Sequence, residues 1–477
     1  MLITSRERNW AELAAPVEVD VLSREESVAL LRDRIAGIGA AEADGLADAL
    51  GDLPLAIAQA AGFMAETGVG SGQYLELLET RAGKLLDQAA AGSLYPRSLA
   101  AATVIVANRL DSADPAAAQL ASICAFLAPE PIPEDLFTSA LEKLPGEVAE
   151  RAADPLAWRQ TLAHLTRQSL VRIDQRGLVM HRLTQAILRD RLTGEQAATI
   201  RACAEAILAA SNPRDPANPV TWPRWAQLLP HLLAASAAES ENHDLRWMAC
   251  SACSYLLARG DTRTAHDLAT HLLEDWRDRL GDDHQNTRAI VTYLAWALRN
   301  MGDYAKAREL DEGNLARNRR ILGDDHPNTL VSANNLANDL RRLGEHRAAR
   351  ELNEDTLTRR RRILGHDHPN TMTSAGNVAA DLTMLGEHQA ARELNEDTLG
   401  SLRRILGHDH PDTLSSARNL GINLRSLGEH RAARELDEDT LTRRRRILGE
   451  NHPDTLTSAR DLAADLRALD QAGGEPQ

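Results

Sequence analysis

Through the last two-fifths of this 477-residue chain, one motif returns every 42 residues. His284, His326, His368, His410 and His452 mark it. Proline follows the last four of them, at Pro327, Pro369, Pro411 and Pro453, and Gln285 takes its place in the first unit. A threonine stands three residues after each histidine, from Thr287 to Thr455. Glycines keep the same beat in two series, one from Gly260 to Gly428 and one from Gly281 to Gly449. A strict period of this length leaves few architectures open. No single unit can bury its apolar face alone, so neighbours must stack into a solenoid. Stacked units present long surfaces, which argues for binding before catalysis.

Each unit reads as two helices. Pro327 fits a first helical position, where a missing N–H costs nothing. Leu330, Ala333, Leu336, Ala337, Leu340 and Leu343 follow at helical spacing, and Gly344 closes the helix. Ala348, Ala349, Leu352, Leu357, Ile363 and Leu364 carry the second helix as far as Gly365. The column Ala265, Ala307, Ala349, Ala391, Ala433 is alanine in every unit, and the column Leu268, Leu310, Leu352, Leu394, Leu436 is leucine. Small residues at a close crossing, with leucines filling the gap, are what stacked helix pairs require. The pattern predicts helix pairs at about 244–280, 286–322, 328–364, 370–406 and 412–448, a lone helix at about 454–469, and a tail over 470–477.

These units resemble the tetratricopeptide repeat, whose signature maps onto Leu336–Ala337, Gly344 and Ala349. The 42-residue period, the His-Pro-x-Thr connector and the string NNLA at Asn334 to Ala337 are similar to the kinesin-light-chain subclass. The resemblance implies a mainly α fold ending in a right-handed α-solenoid, with the first helix of each pair on the inner surface. It places Thr292, Trp296 and Arg299, then Asn334, Asn335, Asn338 and Arg341, in a concave groove. Asn377, then Arg418, Asn419 and Arg425, then Arg460 and Arg467 extend the same face. An asparagine carboxamide both donates and accepts, so it can hold a peptide backbone without reading its sequence. The register 299, 341, 425, 467 is arginine, interrupted by Thr383. Such a column would favour acidic peptide groups or a free C-terminal carboxylate. The expected partner is a protein or peptide.

Charge and composition narrow the field further. The net charge is −15, which speaks against nonspecific nucleic-acid binding. No apolar run approaches the ~20 residues needed to span a bilayer, and the N-terminus lacks a signal-peptide core. Four cysteines do not make a disulfide framework in a chain this long. A cytoplasmic location is the expectation.

Three short strings precede the repeats: Leu2-Ile3-Thr4-Ser5-Arg6, Gly51-Asp52-Leu53-Pro54-Leu55-Ala56, and Gly177-Leu178-Val179-Met180-His181-Arg182-Leu183. In this order and spacing they resemble the nucleotide-binding module of NB-ARC-type STAND ATPases, a class of signalling switches. The resemblance implies a sensor strand ending in Arg6, a GxP motif at Pro54 beside an adenine, and an MHD-like motif whose His181 faces phosphate. Arg182 stands where that motif often has aspartate. It further implies a strand remnant over 1–20, a small helical domain over 21–96 and a winged helix over 97–211. The winged helix would carry a helix from Leu156 to Gln168 and strands at Leu170–Asp174 and Gly177–His181. A linker over 212–243 would follow, with a short helix around Leu228 to Leu233 capping a repeat array over 244–469.

No GxxxxGK[ST] string occurs in the chain, and this string supplies the backbone N–H groups and lysine that cradle phosphates. The expectation is a sensor or scaffold fragment of a truncated switch, without catalytic residues, with ADP or ATP bound only if the missing element is supplied. Residues 1 to about 20 would then be poorly ordered or cover a helical surface. One alternative is an ATPase switch completed by an upstream segment or a partner chain. Another is a DNA-binding regulator acting through the winged helix, although the segment Arg182 to Arg191 carries only three arginines, Arg182, Arg189 and Arg191.

Plainer readings cover the remaining motifs. One histidine per stacked unit cannot converge on a metal ion, so the ladder histidines read as connector residues. Cys250 and Cys253 form a lone CxxC on a helix and read as small core residues. The arginine runs Arg359–Arg362 and Arg443–Arg446 lie near helix C-termini with acidic residues one turn earlier, and read as a solvated, salt-bridged face.

Overall fold

The computed structural model describes residues 21–35, 37–78 and 99–473. Arg6, the sensor strand and the tail beyond 473 lie outside the described residues. The chain divides into two compact units. One comprises Met1–Asn212 with Ala226–Met248, and the other Pro213–Trp225 with Ala249–Gln477.

The first unit opens with helices Arg24–Arg34, Ala40–Leu50 and Pro54–Thr67, then a helix over 71–78. A capping box starts the first: the Glu26 N–H donates to Ser23 Oγ, and the Ser23 N–H donates to the Glu26 carboxylate at 2.9 Å. Leu31, Leu46, Leu50, Ile57 and Tyr74 are fully buried and form a core with Leu183 and Ile187. Helices Leu99–Ala113, Pro115–Cys124, Gly146–Ala153 and Pro155–Arg167 follow. Next come an antiparallel hairpin of Arg172–Asp174 and Gly177–Val179, then helices Arg182–Asp190 and Gly194–Ala210. Ile132 exchanges backbone hydrogen bonds of 2.7 and 2.8 Å with Leu178, placing the 132 segment against the hairpin. The expected helix near 156–168 is present. The second strand stops at Val179, because two residues later His181 already caps the following helix.

The expected capping helix runs from Trp222 to Ala234. From Ala226 onward it belongs to the first unit. His231 explains this: fully buried, it accepts the Ala128 N–H at Nδ1 and lies 3.2 Å from the Pro131 carbonyl at Nε2. A buried imidazole with both nitrogens satisfied fixes that helix where it is. The preceding segment, by contrast, packs on the repeats through Trp225, whose ring stacks on Tyr255 at 5.7 Å.

The second unit is the helix-pair stack that the 42-residue period predicts. Pairs run His243–Ala258 with Thr262–Leu280, Gln285–Met301 with Tyr304–Leu322, and Pro327–Arg342 with His346–Leu364. Pro369–Met384 with His388–Leu406 and Pro411–Ser426 with His430–Leu448 continue it, and Pro453–Gly473 ends it. Apolar clusters join neighbours: Leu315 of one unit packs with Ala333, Leu336, Ala337, Leu340 and Ala349 of the next. Equivalent residues repeat the cluster twice more. Each buried leucine contributes ~2 kcal/mol, and the fully buried Ala349 allows the close crossing. Gly344 takes φ +87°, and the Glu345 N–H reaches the Leu340 carbonyl at 2.9 Å, a Schellman-type stop.

The connector also gains a specific chemistry. His326 is the N-cap of its helix, and its Nδ1 accepts the Asn328 N–H at 3.1 Å. His284, His368, His410 and His452 do the same at 3.2 Å. Thr329 Oγ1 donates to the Gly323 carbonyl at 2.7 Å, tying the new helix to the end of the old one. His452 makes a further contact. With Nδ1 accepting, its Nε2 carries the proton and donates to the Ala258 carbonyl at 2.8 Å, while Trp222 stacks on its ring. The first and last helices of the array therefore touch.

Candidate functional site: the first-helix face of the repeats

Asn335, Asn377 and Asn419 lie one period apart on the first helices of three successive pairs. All are half-buried, and their carboxamides take no partner among the described residues. The helical turns around them are fixed by buried neighbours, Leu336, Val378 and Leu420. Each carboxamide therefore sits on a rigid base with a donor and an acceptor unused. Trp296, on the first helix of the preceding pair, is also half-buried.

The other expected groove residues, apart from the exposed Arg460, are engaged within the fold. Asn334 is buried and donates to Ser374 Oγ at 3.1 Å. Asn338 accepts from Arg341 at 2.9 Å. Thr292 accepts from Asn314, Arg418 pairs with Asp461 at 2.6 Å, and Arg467 donates to its own helix at the Ala463 carbonyl.

The arginine column needs the clearest revision. Arg299 is 9 % exposed and pairs with Asp311 at 2.6 Å and Asp339 at 3.2 Å, both fully buried. Arg341 pairs with Asp381 at 3.0 Å, whose other oxygen accepts from Asn353 at 2.6 Å. Arg425 pairs with Asp437 at 2.7 Å and with Asp465. These guanidiniums are committed to the joints between repeats and do not form an open column awaiting a peptide carboxylate. Thr383, the interruption, follows the same logic: Asn395 donates to Asn423 at 2.6 Å, and Asn423 donates to Thr383 at 2.5 Å. Where the arginine is absent, both carboxylates are replaced by carboxamides, so no buried charge is stranded.

Two clusters keep one cation for two carboxylates. Burial, only partly offset by Arg299, pushes the Asp311 carboxyl up to about 7 and raises Asp339 as well. Burial together with the neighbouring Asp465 pushes Asp437 up to about 7. The sequence held a signal for these clusters: the columns 311, 353, 395, 437 and 339, 381, 423, 465 are Asp or Asn throughout.

The arginine runs behave as expected at their edges. Arg359 and Arg362 both bind Asp325, and Arg443 and Arg446 both bind Asp409. Their central members differ. Arg360 and Arg444 are each 4 % exposed and donate to Ser374 and Ser458 and to the Asn370 and Asp454 carbonyls. Burial lowers Arg360 to about 10. Cys250 and Cys253 are buried, and burial pushes the Cys250 thiol up to about 12. Among the described residues, no group of three or more His, Cys, Asp or Glu could hold a metal ion, and no helix is long and apolar enough to cross a membrane.

In the first unit the second and third motifs meet. His181 Nδ1 accepts the Leu183 N–H at 3.2 Å, and its Nε2 lies 3.2 Å from the Gly51 carbonyl. Gly51 sits at φ +62°, and a Cβ there would fall 2.4 Å from the imidazole, so only glycine fits. Burial holds the imidazole pKa below its usual range, which keeps the ring neutral. Arg182 binds Asp48 at 3.0 Å, and Arg24 binds Asp48 and Asp52. Pro54 opens its helix at N1 and is exposed. With both ring nitrogens used and acidic side chains around it, His181 has no N–H to offer a phosphate.

Comparison with known proteins separates the two units. Tetratricopeptide-repeat family models match residues 289–362, 371–412 and 413–454. The repeats are tetratricopeptide repeats. In the first unit, residues 108–197 match a domain of unknown function, DUF7779. No curated protein matches the sequence. The tetratricopeptide array is similar to a Podosopora anserina protein described as a kinesin light chain with nearly identical repeats. That match is 25% identical, spans 42% of this chain and 93% of that one, and has a TM-score of 0.34. A second similar structure is BtubC from P. vanneervenii, 18% identical over 51% of this chain and 94% of that one, TM-score 0.35. A third is a STAND protein with a tetratricopeptide-repeat sensor from Pyrococcus horikoshii, 13% identical. It spans 93% of this chain and 63% of that one, TM-score 0.41.

Proposed function

We propose that this chain is a protein-interaction scaffold whose tetratricopeptide array holds an extended peptide along the first-helix face. The observation that carries the reading is the Asn335, Asn377, Asn419 ladder, rigidly based and unpartnered. Each carboxamide can take one backbone N–H and one backbone carbonyl of a strand laid across it. Affinity then comes from the main chain, and side-chain preference from the flanking residues, Trp296 among them. An acidic or C-terminal carboxylate preference would have to rest on Arg460 and Arg467, because Arg299, Arg341 and Arg425 already have carboxylate partners.

A second reading concerns the first unit, which we read as the helical and winged-helix part of a STAND-type switch. The contact of His181 with Gly51 favours it, since two motifs 130 residues apart form one junction. Nucleotide binding by such a switch would need a phosphate cradle from outside the described residues. The DNA-binding alternative is disfavoured by the pairing of Arg182 with Asp48 and of Arg191 with Asn108 and Asp111.

The test is a selection of peptides from a random library on the full chain, followed by affinity measurement against a variant carrying N335A, N377A and N419A. Each lost backbone pairing costs ~1 kcal/mol, so the triple variant is expected to bind roughly 100-fold more weakly with an unchanged melting temperature. Equal affinity in the variant would refute the ladder as the binding surface.

A further inference from the structure

Within the first unit a cavity of about 460 Å³ opens between helices Arg182–Asp190 and Gly194–Ala210, the segment after Cys124, and residues 234–236. Three guanidiniums, from Arg182, Arg189 and Arg201, line it. We infer that this cavity binds a small organic anion, a carboxylate or phosphate carried on a short apolar body. The inference rests on neither the peptide face nor the switch reading.

Electrostatics carries the first half. The chain as a whole has a net charge of −15, yet three guanidiniums line this one cavity. Arg189 has one acceptor, the Ala125 carbonyl at 2.5 Å, and no carboxylate partner. Burial and the repulsion of Arg201 lower its pKa, against the attraction of Asp190. Arg201 stacks over Phe126 at 5.8 Å and has only a long 3.6 Å contact with Glu239. Glu205 is the one carboxylate lining the cavity, and it is 6 % exposed. It accepts from Ser240 Oγ at 2.5 Å, and one carboxylate faces three guanidiniums. An incoming anion would find charge-assisted donors already in place.

The walls carry the second half. Phe126, Leu127 and Ala235 are buried apolar residues, and the Gln185 carboxamide is spent on the Cys124 and Leu127 carbonyls. An alkyl or aryl group would pack there, and the volume lies in the range of small-molecule sites. Arg182 also binds Asp48, so an anion that drew it away would loosen the junction beside His181 and Gly51.

The test is calorimetry on the full chain with hexyl phosphate, inorganic phosphate and 1-hexanol. Hexyl phosphate is expected to bind at about millimolar or tighter, and either half alone at least tenfold more weakly. R201Q should weaken hexyl phosphate at least tenfold. E205Q, which removes the competing carboxylate and keeps an acceptor for Ser240, should tighten it. A merely destabilised fold would not tighten binding, so E205Q remains decisive even if R201Q unfolds. No saturable binding of hexyl phosphate, equal binding of 1-hexanol or of inorganic phosphate, or unchanged affinity in E205Q would each overturn the inference.

Discussion

Arg299, Arg341, Thr383 and Arg425 show how far a column of like residues can be read alone. Their register was legible in the sequence, and so was their place on the first helix. Their role was not, because it depends on Asp311, Asp339, Asp381, Asp437 and Asp465, which come from neighbouring helices. Two expectations follow from the clusters. Unfolded, Asp311 and Asp437 titrate near 3.8; folded, each lies at about 7. The folded array therefore holds extra protons. That contribution is complete below the unfolded value and lost as pH rises through 7, at most about 1.4 kcal/mol per pH unit for each proton. Denaturant titration should show the repeats less stable at pH 8 than at pH 6, with the difference reduced in D311N and D437N. Surface carboxylates such as Asp325 and Asp409, held low by arginines, act only in more acid solution and leave this window clear. The second expectation concerns Thr383. T383R would bury a cation among Asn395 and Asn423 with no carboxylate to meet it, costing ~3 kcal/mol. Adding N423D should recover most of the loss, and a double-mutant cycle without coupling would contradict the cluster logic.

At the level of elements, the helix pairs were legible almost to the residue, because glycine stops, proline starts and apolar spacing all agree. The connector histidines were placed correctly as connectors but not recognised as caps. The signal was their position directly before a proline that opens a helix, which makes them N-caps by elimination. H326A should remove the acceptor for the Asn328 N–H and lower stability by ~1 kcal/mol, read as a lower melting temperature, while H326N should retain most of it. The helix around Leu228 was harder to assign. Its apolar stripe says that it is buried, and only His231 seated between Ala128 and Pro131 says against what. Short strands were legible in position but overrun at their ends, since side-chain alternation does not reveal that His181 has begun to cap a helix.

Across the whole molecule, two units carry different kinds of information. The first joins motifs far apart in sequence, His181 with Gly51, and gathers arginines around a cavity. The second repeats one design, and its half-buried carboxamides of Asn335, Asn377 and Asn419 take no partner among the described residues. Under the proposed function those three carboxamides hold the ligand. The most direct measurement is NMR of the full chain with asparagine side chains labelled by ¹⁵N, titrated with a library-selected peptide. The account predicts that the carboxamide signals of Asn335, Asn377 and Asn419 shift together and saturably, while those of the buried Asn353 and Asn395 stay in place. Shifts confined to other asparagines, with the ladder unmoved at saturation, would contradict it.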